Sequence, residues 1–367
     1  MKDAAGRHQS GEDTVNALSS PLLLVIFLGS ASVIWGAGIF LSDSTDVLCH
    51  RLHLGEALGG VILLAIATNL PEVAITASAA LSHQVGIAVG NILGGIAIQT
   101  AVLALLDAVG VRPRRPLTYL AASLTLVLEC ALVLAMLTVV VMATQLPESL
   151  IVARLTPGVI LIVLLWIIGL TLVRKARRGL PWPGGGNAGE SPENGGETQA
   201  AQAKRARLQK TSLGRAALVF GVGAAATLVA GVFATRSGEV LFGRLGLSGV
   251  VFGATVLAAA TALPEVTTGL TSTRLCDYQL AVSDILGGNA FLPVLFLLAT
   301  VLSGKAVLPA AHHSDIYLTA LGGLLTIVYL IGLIFRPRRQ WLRMGPDSIA
   351  VLVLYAVGIA GLALIRT

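Results

Sequence analysis

Charge is scarce in this chain. Asp, Glu, Lys and Arg make up 12% of its 367 residues, against about 25% in an ordinary soluble domain. Aromatic residues are 5% of the chain and histidines number six. The three cysteines (Cys49, Cys130 and Cys276) form an odd set with no CxxC spacing, which excludes a disulfide framework and a structural zinc site. What fills the space is apolar: 55% of residues are hydrophobic and the mean hydropathy is +0.84. Apolar runs of about 18 residues or more recur along the chain, each long enough to cross a hydrocarbon core of about 30 Å. A polytopic membrane protein follows, with the lipid bilayer as its first partner. The net charge of +6 does not point to nucleic acid, because the basic residues sit in short loops beside apolar segments. That distribution is an orientation signal.

The polar, acid-containing tail 1–20 does not read as a cleavable signal peptide, so the first span is expected to act as the targeting signal. Ten spans are predicted, near 21–41, 55–80, 85–107, 117–142, 156–173, 213–235, 247–273, 278–303, 314–335 and 346–365. Residues 174–212, rich in Gly, Pro and charge, are expected to form a flexible linker. It divides the chain into two five-helix units, 21–173 and 213–367. With ten spans, the linker side collects 18 of the 25 Lys and Arg residues and the side holding both termini collects 7. The positive-inside rule then places the linker in the cytoplasm and both termini outside, in a cell membrane.

Shifting the sequence by 193 lays Ala67–Ala97 on Ala260–Ala290 without a gap, with 13 of 31 positions identical. One cluster of matches is ATNLPEV (67–73) on ATALPEV (260–266); the other is VGNILGG (89–95) on VSDILGG (282–288). Five spans separate the copies, and five is odd, so the copies cross the membrane in opposite directions. Inverted repeats with helix breakers at matching places are the pattern of secondary transporters, whose site lies near midplane between the repeats.

The repeated residues explain what such a site can do. Pro71 has no amide hydrogen, so the helix opens around Ala67 and Thr68, and Pro264 does the same around Ala260 and Thr261. Carbonyls released in this way must face protein or a hydrated cavity. A mid-membrane carboxylate costs about 2.5–3.5 kcal/mol even on the lenient insertion scales, so Glu72 and Glu265 call for a function. Two carboxylates, freed carbonyls of Ala67 and Ala260, and the hydroxyls of Thr68 and Thr261 form a set of hard oxygen ligands that suits calcium. The motif has no His or Cys, which argues against zinc or copper. In the second cluster Asn91 and Asp284 fall on equivalent positions. Asp284 is a third ligand or a proton carrier on one reading, and a helix cap or bundle partner on the other. The paired glycines allow another backbone to approach closely.

A third LPE, in ATQLPES at 143–149, has no GNILGG-like segment after it; Glu148 there is read as part of a solvated structural turn. Glu129 lies mid-span in LTLVLECALVL, as a coupling-proton site or as the partner of another polar residue of the bundle. Asp107, at a span end, is expected to be solvated. The histidines of CHRLH (His50, His53) and His312–His313 are read as ordinary loop residues rather than metal ligands.

With these motifs in view, the chain resembles the calcium/cation antiporter superfamily, in particular sodium/calcium exchanger membrane proteins of the prokaryotic type. That family carries two inverted repeats, each with G-T-S-L-P-E followed by G-N-[IV]-[IL]-G-S-N and, three residues on, Asn or Asp. The resemblance implies an all-α integral membrane fold of ten transmembrane helices in two inverted five-helix repeats. It implies paired ligands at Glu72 and Glu265 and threonine ligands at Thr68 and Thr261. The motif serines fall on Asn69 and Ala262, the later serines on Gly95 and Gly288, and the further Asn/Asp on Gln99 and Leu292. Those are departures, and they bear on sodium because the family's sodium sites use such hydroxyls and amides. Gln99 still offers an oxygen; Leu292 offers none.

The function expected is secondary antiport of a divalent cation, calcium, against sodium or protons, by alternating access and without a permanently bound cofactor; the lost hydroxyls keep open a proton-coupled exchanger, or one for another cation, with degenerate sodium sites. Two rivals are an intramembrane enzyme using Glu72 and Glu265 as acid and base, for which no nucleophile motif is present, and a non-transporting membrane scaffold. The sequence leaves the coupling ion and the oligomeric state open.

Overall fold

The structure, a computed structural model, describes residues 17–51, 67–111, 115–177 and 212–365. Most of the predicted linker, the first part of the expected second span, His53, and the side chains of Cys49 and His50 lie outside the described residues. The described secondary structure is helical, apart from two isolated bridges, Val152 with Leu155 and Trp341 with Met344, that close turns. In the first half the helices are α1 (Ser20–Arg51), α2 (Leu70–Leu81), α3 (Val85–Leu105), the short α4 (Leu117–Ala121), α5 (Leu124–Thr144) and α6 (Pro157–Arg177). The second half has α7 (Leu213–Arg244), the short α8 (Gly249–Phe252) and α9 (Ala258–Thr261), then α10 (Leu263–Arg274), α11 (Tyr278–Phe291), α12 (Leu295–Ser303), α13 (His313–Phe335) and α14 (Pro346–Leu364).

Eight helical segments among the described residues are long and apolar enough to cross a membrane. A ninth span is the broken pair Gly249–Thr261 and Leu263–Arg274, bent by 42°. The expected ten is therefore not reached in the described residues, because of the second span only the stretch from residue 67 onward is described. Helix ends also differ from hydropathy. The first span was placed at 21–41 and the sixth at 213–235, yet α1 and α7 each run for 32 residues. Polar residues such as Ser44 and Thr45 do not end α1, because their hydroxyls donate back to carbonyls one turn earlier.

The offset of 193 found in the sequence reappears in the coordinates. α1 and α7 begin and end 193 residues apart, and so do α2 and α10. Each long helix crosses the broken helix of the other half at a glycine. A Cβ on Gly38 of α1 would lie 2.6 Å from Pro264, and one on Gly231 of α7 would lie 2.7 Å from the Cβ of Ala74. Gly38 and Gly231 are themselves 193 apart. Those close approaches require glycine.

α3 is the central helix, with only Gly86, Val85, Ile98 and Leu105 among its 21 residues more than marginally exposed. Its glycines do what the motif suggested. Gly90 and Gly94 lie against the backbones of Val250 and Ala254, and Gly253 lies against the carbonyl of Ile87 and the amide of Asn91. Backbone-to-backbone packing locks α3 to the segment that leads into α10. The outer faces of α1, α6 and α7 carry exposed Val25, Phe40, Leu164, Leu218 and Phe233, as a lipid-facing surface must.

Candidate ion-binding site

The site grows from two matching breaks. α2 and α10 both start with Leu-Pro-Glu, so each proline occupies the first helical turn, where no backbone donor is needed. The carbonyls of Ala67 and Ala260, four residues earlier, find no N–H at those prolines. Ala67 and Ala260 are buried, with Thr68 and Thr261 beside them. The break also lifts Glu72 and Glu265 into the first turn of a helix, where the positive end of its dipole favours a negative charge.

Both carboxylates point into protein, not lipid: Glu72 is 0% exposed and Glu265 is 1% exposed. They act on one another electrostatically, and Asp284 acts on Glu265. The Thr261 hydroxyl, from the second repeat, reaches the Glu72 carboxylate of the first. Gln99 of α3 donates from Nε2 to Oε1 of Glu72 at 3.5 Å. Oε2 of Glu72, Oε1 of Gln99 and both Glu265 oxygens are buried without a well-formed hydrogen bond among the described residues, although each carboxylate lies within reach of its own amide and Glu72 within reach of Thr261. So many buried acceptors without a donor, around two neighbouring carboxylates, carry a high cost unless a cation or protons complete them.

The other expected residues fall into place unevenly. Asn69 is buried at the turn before α2, and its amide lies against Gly288 of α11. Asp284 does not cap α11, since Asp277 does that; instead it accepts from Thr268 of α10 at 2.9 Å. Asn91 is fully buried, yet no hydrogen bond joins it to either carboxylate among the described residues. No group of three or more His, Cys, Asp or Glu is placed to hold a metal among the described residues. A cation here would depend on two carboxylates with amide, hydroxyl and carbonyl oxygens.

Asn289 is one residue that sequence reasoning passed over. It is fully buried and donates to Thr100 Oγ1 at 3.0 Å, tying α11 to α3 beside Gln99. The signal was available, because it occupies the Asn of the G-S-N pattern in the second repeat. A second omission is the trio at Glu129. Arg177, at the end of α6, donates from one guanidinium nitrogen to Glu129 at 3.0 Å and to Ser283 at 2.7 Å. Glu129 therefore has bundle partners, and Ser283 adjoins Asp284.

Asp107 corrects the expectation of a solvated span end. It is 0% exposed and accepts from the amides of Leu117 and Gly345 and the hydroxyl of Ser348, each at 2.7 Å. A loop from the second half folds over it, which no local pattern in the sequence discloses. Glu148 is exposed in a short turn, as expected. His312 and His313 are exposed at the start of α13, where His312 takes the capping position.

Two broken helices from related halves, each bringing a buried carboxylate into electrostatic contact with the other, are the arrangement of secondary ion transporters. The chain belongs to the sodium/calcium exchanger protein family, whose pattern it matches over residues 22–175 and again over 215–363. It is similar to the inner membrane protein YrbG of Escherichia coli K12, at 27% identity over 303 residues, covering 81% of this chain and 84% of that protein. It is also similar to the sodium/calcium exchanger MaX1 of Methanosarcina acetivorans, at 31% identity over 71 residues, 19% of this chain and 20% of that one. Among solved structures, the sodium-calcium exchanger NCX_Mj shares the fold with a TM-score of 0.58 at 18% identity, covering 95% of this chain and 100% of that one. The H+/Ca2+ exchanger CAX does so with a TM-score of 0.67 at 14% identity, covering 93% of this chain and 85% of that one. The protein is a multi-pass membrane protein of this family.

Proposed function

We propose that this protein is a secondary active antiporter that exchanges a divalent cation, calcium, against a monovalent coupling ion, sodium or the proton, across a cytoplasmic membrane. The observation that carries the reading is the burial of Glu72 and Glu265 together, with three of their four oxygens lacking a well-formed hydrogen bond among the described residues. Calcium accepts 6–8 oxygens in adaptable geometry, and the carboxylates, Gln99, Asn69, Thr68, Thr261 and the carbonyls of Ala67 and Ala260 supply such a set. Asp284 lies within electrostatic reach of Glu265 and is assigned an accessory role. Asn91 is assigned to helix packing.

Exchange follows from competition. Calcium and the coupling ion need the same two carboxylates, so loading one releases the other. The α1 and α7 helices cross the breaks at Gly38 and Gly231, and their tilting is the motion that opens the pocket to each side in turn. The linker faces the cytoplasm in this reading and both termini face out.

Everted vesicles containing the protein and loaded with radiolabelled calcium test the proposal. Release driven by an imposed sodium gradient or pH gradient is expected, and comparing the two identifies the coupling ion. Release that responds to neither gradient would remove the antiporter reading.

A further inference from the structure

The two halves of the pocket, related by the shift of 193, have different walls. In the first lobe Gly288 faces two carboxamides: a Cβ there would meet Asn69 Nδ2 at 3.0 Å and Gln99 Oε1 at 3.3 Å. Gln99 in turn donates to Glu72. With Nε2 on the Glu72 side, Oε1 is the atom on the Gly288 side. In the second lobe Gly95 faces a methyl group: a Cβ there would meet Leu292 Cδ1 at 3.1 Å. Asn69 is replaced by Ala262 and Gln99 by Leu292. Ala262, Leu292 and Gly95 are all buried, so the second lobe is apolar where the first offers two carboxamides.

We propose that the pocket has a single cation seat, shared by the Glu72 and Glu265 carboxylates but displaced from the pseudo-two-fold axis toward the Asn69 and Gln99 carboxamides beside Gly288. The matching lobe under Gly95 is closed to ions by Leu292. The seat suits one hard, largely dehydrated cation of calcium's type, bound by carboxylate and amide oxygens. Glycine at 288 is part of the seat's specificity, since it leaves the room in which two amide groups meet. Glycine at 95 only relieves packing against a flexible leucine tip. This inference rests on the antiporter reading, and it adds where in the pocket the ion sits and how many seats there are.

The test is equilibrium binding of calcium to the purified full-length protein, with thermal unfolding measured in parallel. Gly288→Ala is expected to weaken calcium binding about tenfold or more, the loss of roughly one good polar ligand. Gly95→Ala is expected to stay within about twofold, because the leucine tip can yield. A further variant separates a ligand from a spacer. Adding Asn69→Ala to Gly288→Ala restores the room and so the unfolding temperature, yet binding stays weak if Asn69 is a ligand. Recovery of binding in that double variant would overturn the seat, and so would an equal loss in Gly95→Ala. A wild-type protein that binds no divalent cation would overturn both the seat and the antiporter reading.

Discussion

Gln99 and Leu292 occupy the same place in two copies of one motif, and they make opposite environments. Around Gln99 the helix meets Asn69, Glu72 and the bare backbone of Gly288. Around Leu292 it meets Gly95 and the apolar clusters that join α11 to α3 and α5. The backbones match in the long and broken helices, since the bounds of α1 and α7, and of α2 and α10, keep one offset. At this pair they differ, because α3 runs on through Gln99 whereas α11 ends at Phe291 and Leu292 opens a 3-10 turn. The prolines and the glycines at the close crossings, Gly38, Gly90, Gly94 and Gly231, hold the shared geometry, and a change at those glycines would move whole helices. The ligand positions are under no such constraint. One side of the pocket can therefore lose its oxygens while the other keeps them, provided the vacated volume is filled.

The comparison breaks first at what the two halves still share. Glu72→Gln and Glu265→Gln should each reduce calcium flux by on the order of a hundredfold or more, with the protein still inserted, because each removes a buried charged ligand worth about 3 kcal/mol. Flux in reconstituted vesicles reads this, and normal flux in either variant would take that carboxylate out of the pocket. The next test sharpens the contrast, since alanine at equivalent positions should do different things. Leu292→Ala should cost about 2–5 kcal/mol of stability, as core leucines do, with calcium affinity nearly unchanged. Gln99→Ala should lower affinity about tenfold and change the unfolding temperature much less. Matching effects of the two on affinity would erase the distinction between lobes.

Smaller effects lie outside the pocket. Asp107→Asn turns one acceptor into a donor facing either the Leu117 amide or the Gly345 and Ser348 donors. A loss of about 1–3 kcal/mol in stability is expected, read by thermal unfolding in detergent. Glu129→Gln leaves Arg177 and Ser283 with a neutral partner. Arg177 is partly solvated, so about 1 kcal/mol is expected, with calcium affinity retained. A loss of affinity there would mean that Glu129 belongs to the ion path rather than to bundle packing.

The sequence was most informative where chemistry and backbone constraint coincide. Glu72, Glu265 and their prolines were legible because a charge and a helix breaker stand out in apolar surroundings and recur at a fixed distance. The glycines of VGNILGG announced close packing, and Gly94 against Ala254 is that packing. Gly38 and Gly231 share the same offset within AGIF (37–40) and AGVF (230–233), a match too short to stand out from the apolar background without the structure. Asp107 was misread for a physical reason: burial at a span end depends on what covers it, and its cover arrives from Gly345 and Ser348 at the far end of the chain. Arg177 and Glu129 likewise meet only through tertiary packing, 48 residues apart. Helix ends were placed too early in α1 and α7 because hydropathy falls before the helix does.

The most direct measurement is calcium–calcium counterflow, which needs no coupling ion. Vesicles holding the protein and loaded with radiolabelled calcium are diluted into medium with or without unlabelled calcium. Label should leave rapidly only when external calcium is present, and Glu72→Gln and Glu265→Gln should abolish that release. Release that is indifferent to external calcium, or that persists in both variants, would contradict an exchanger built on these two carboxylates.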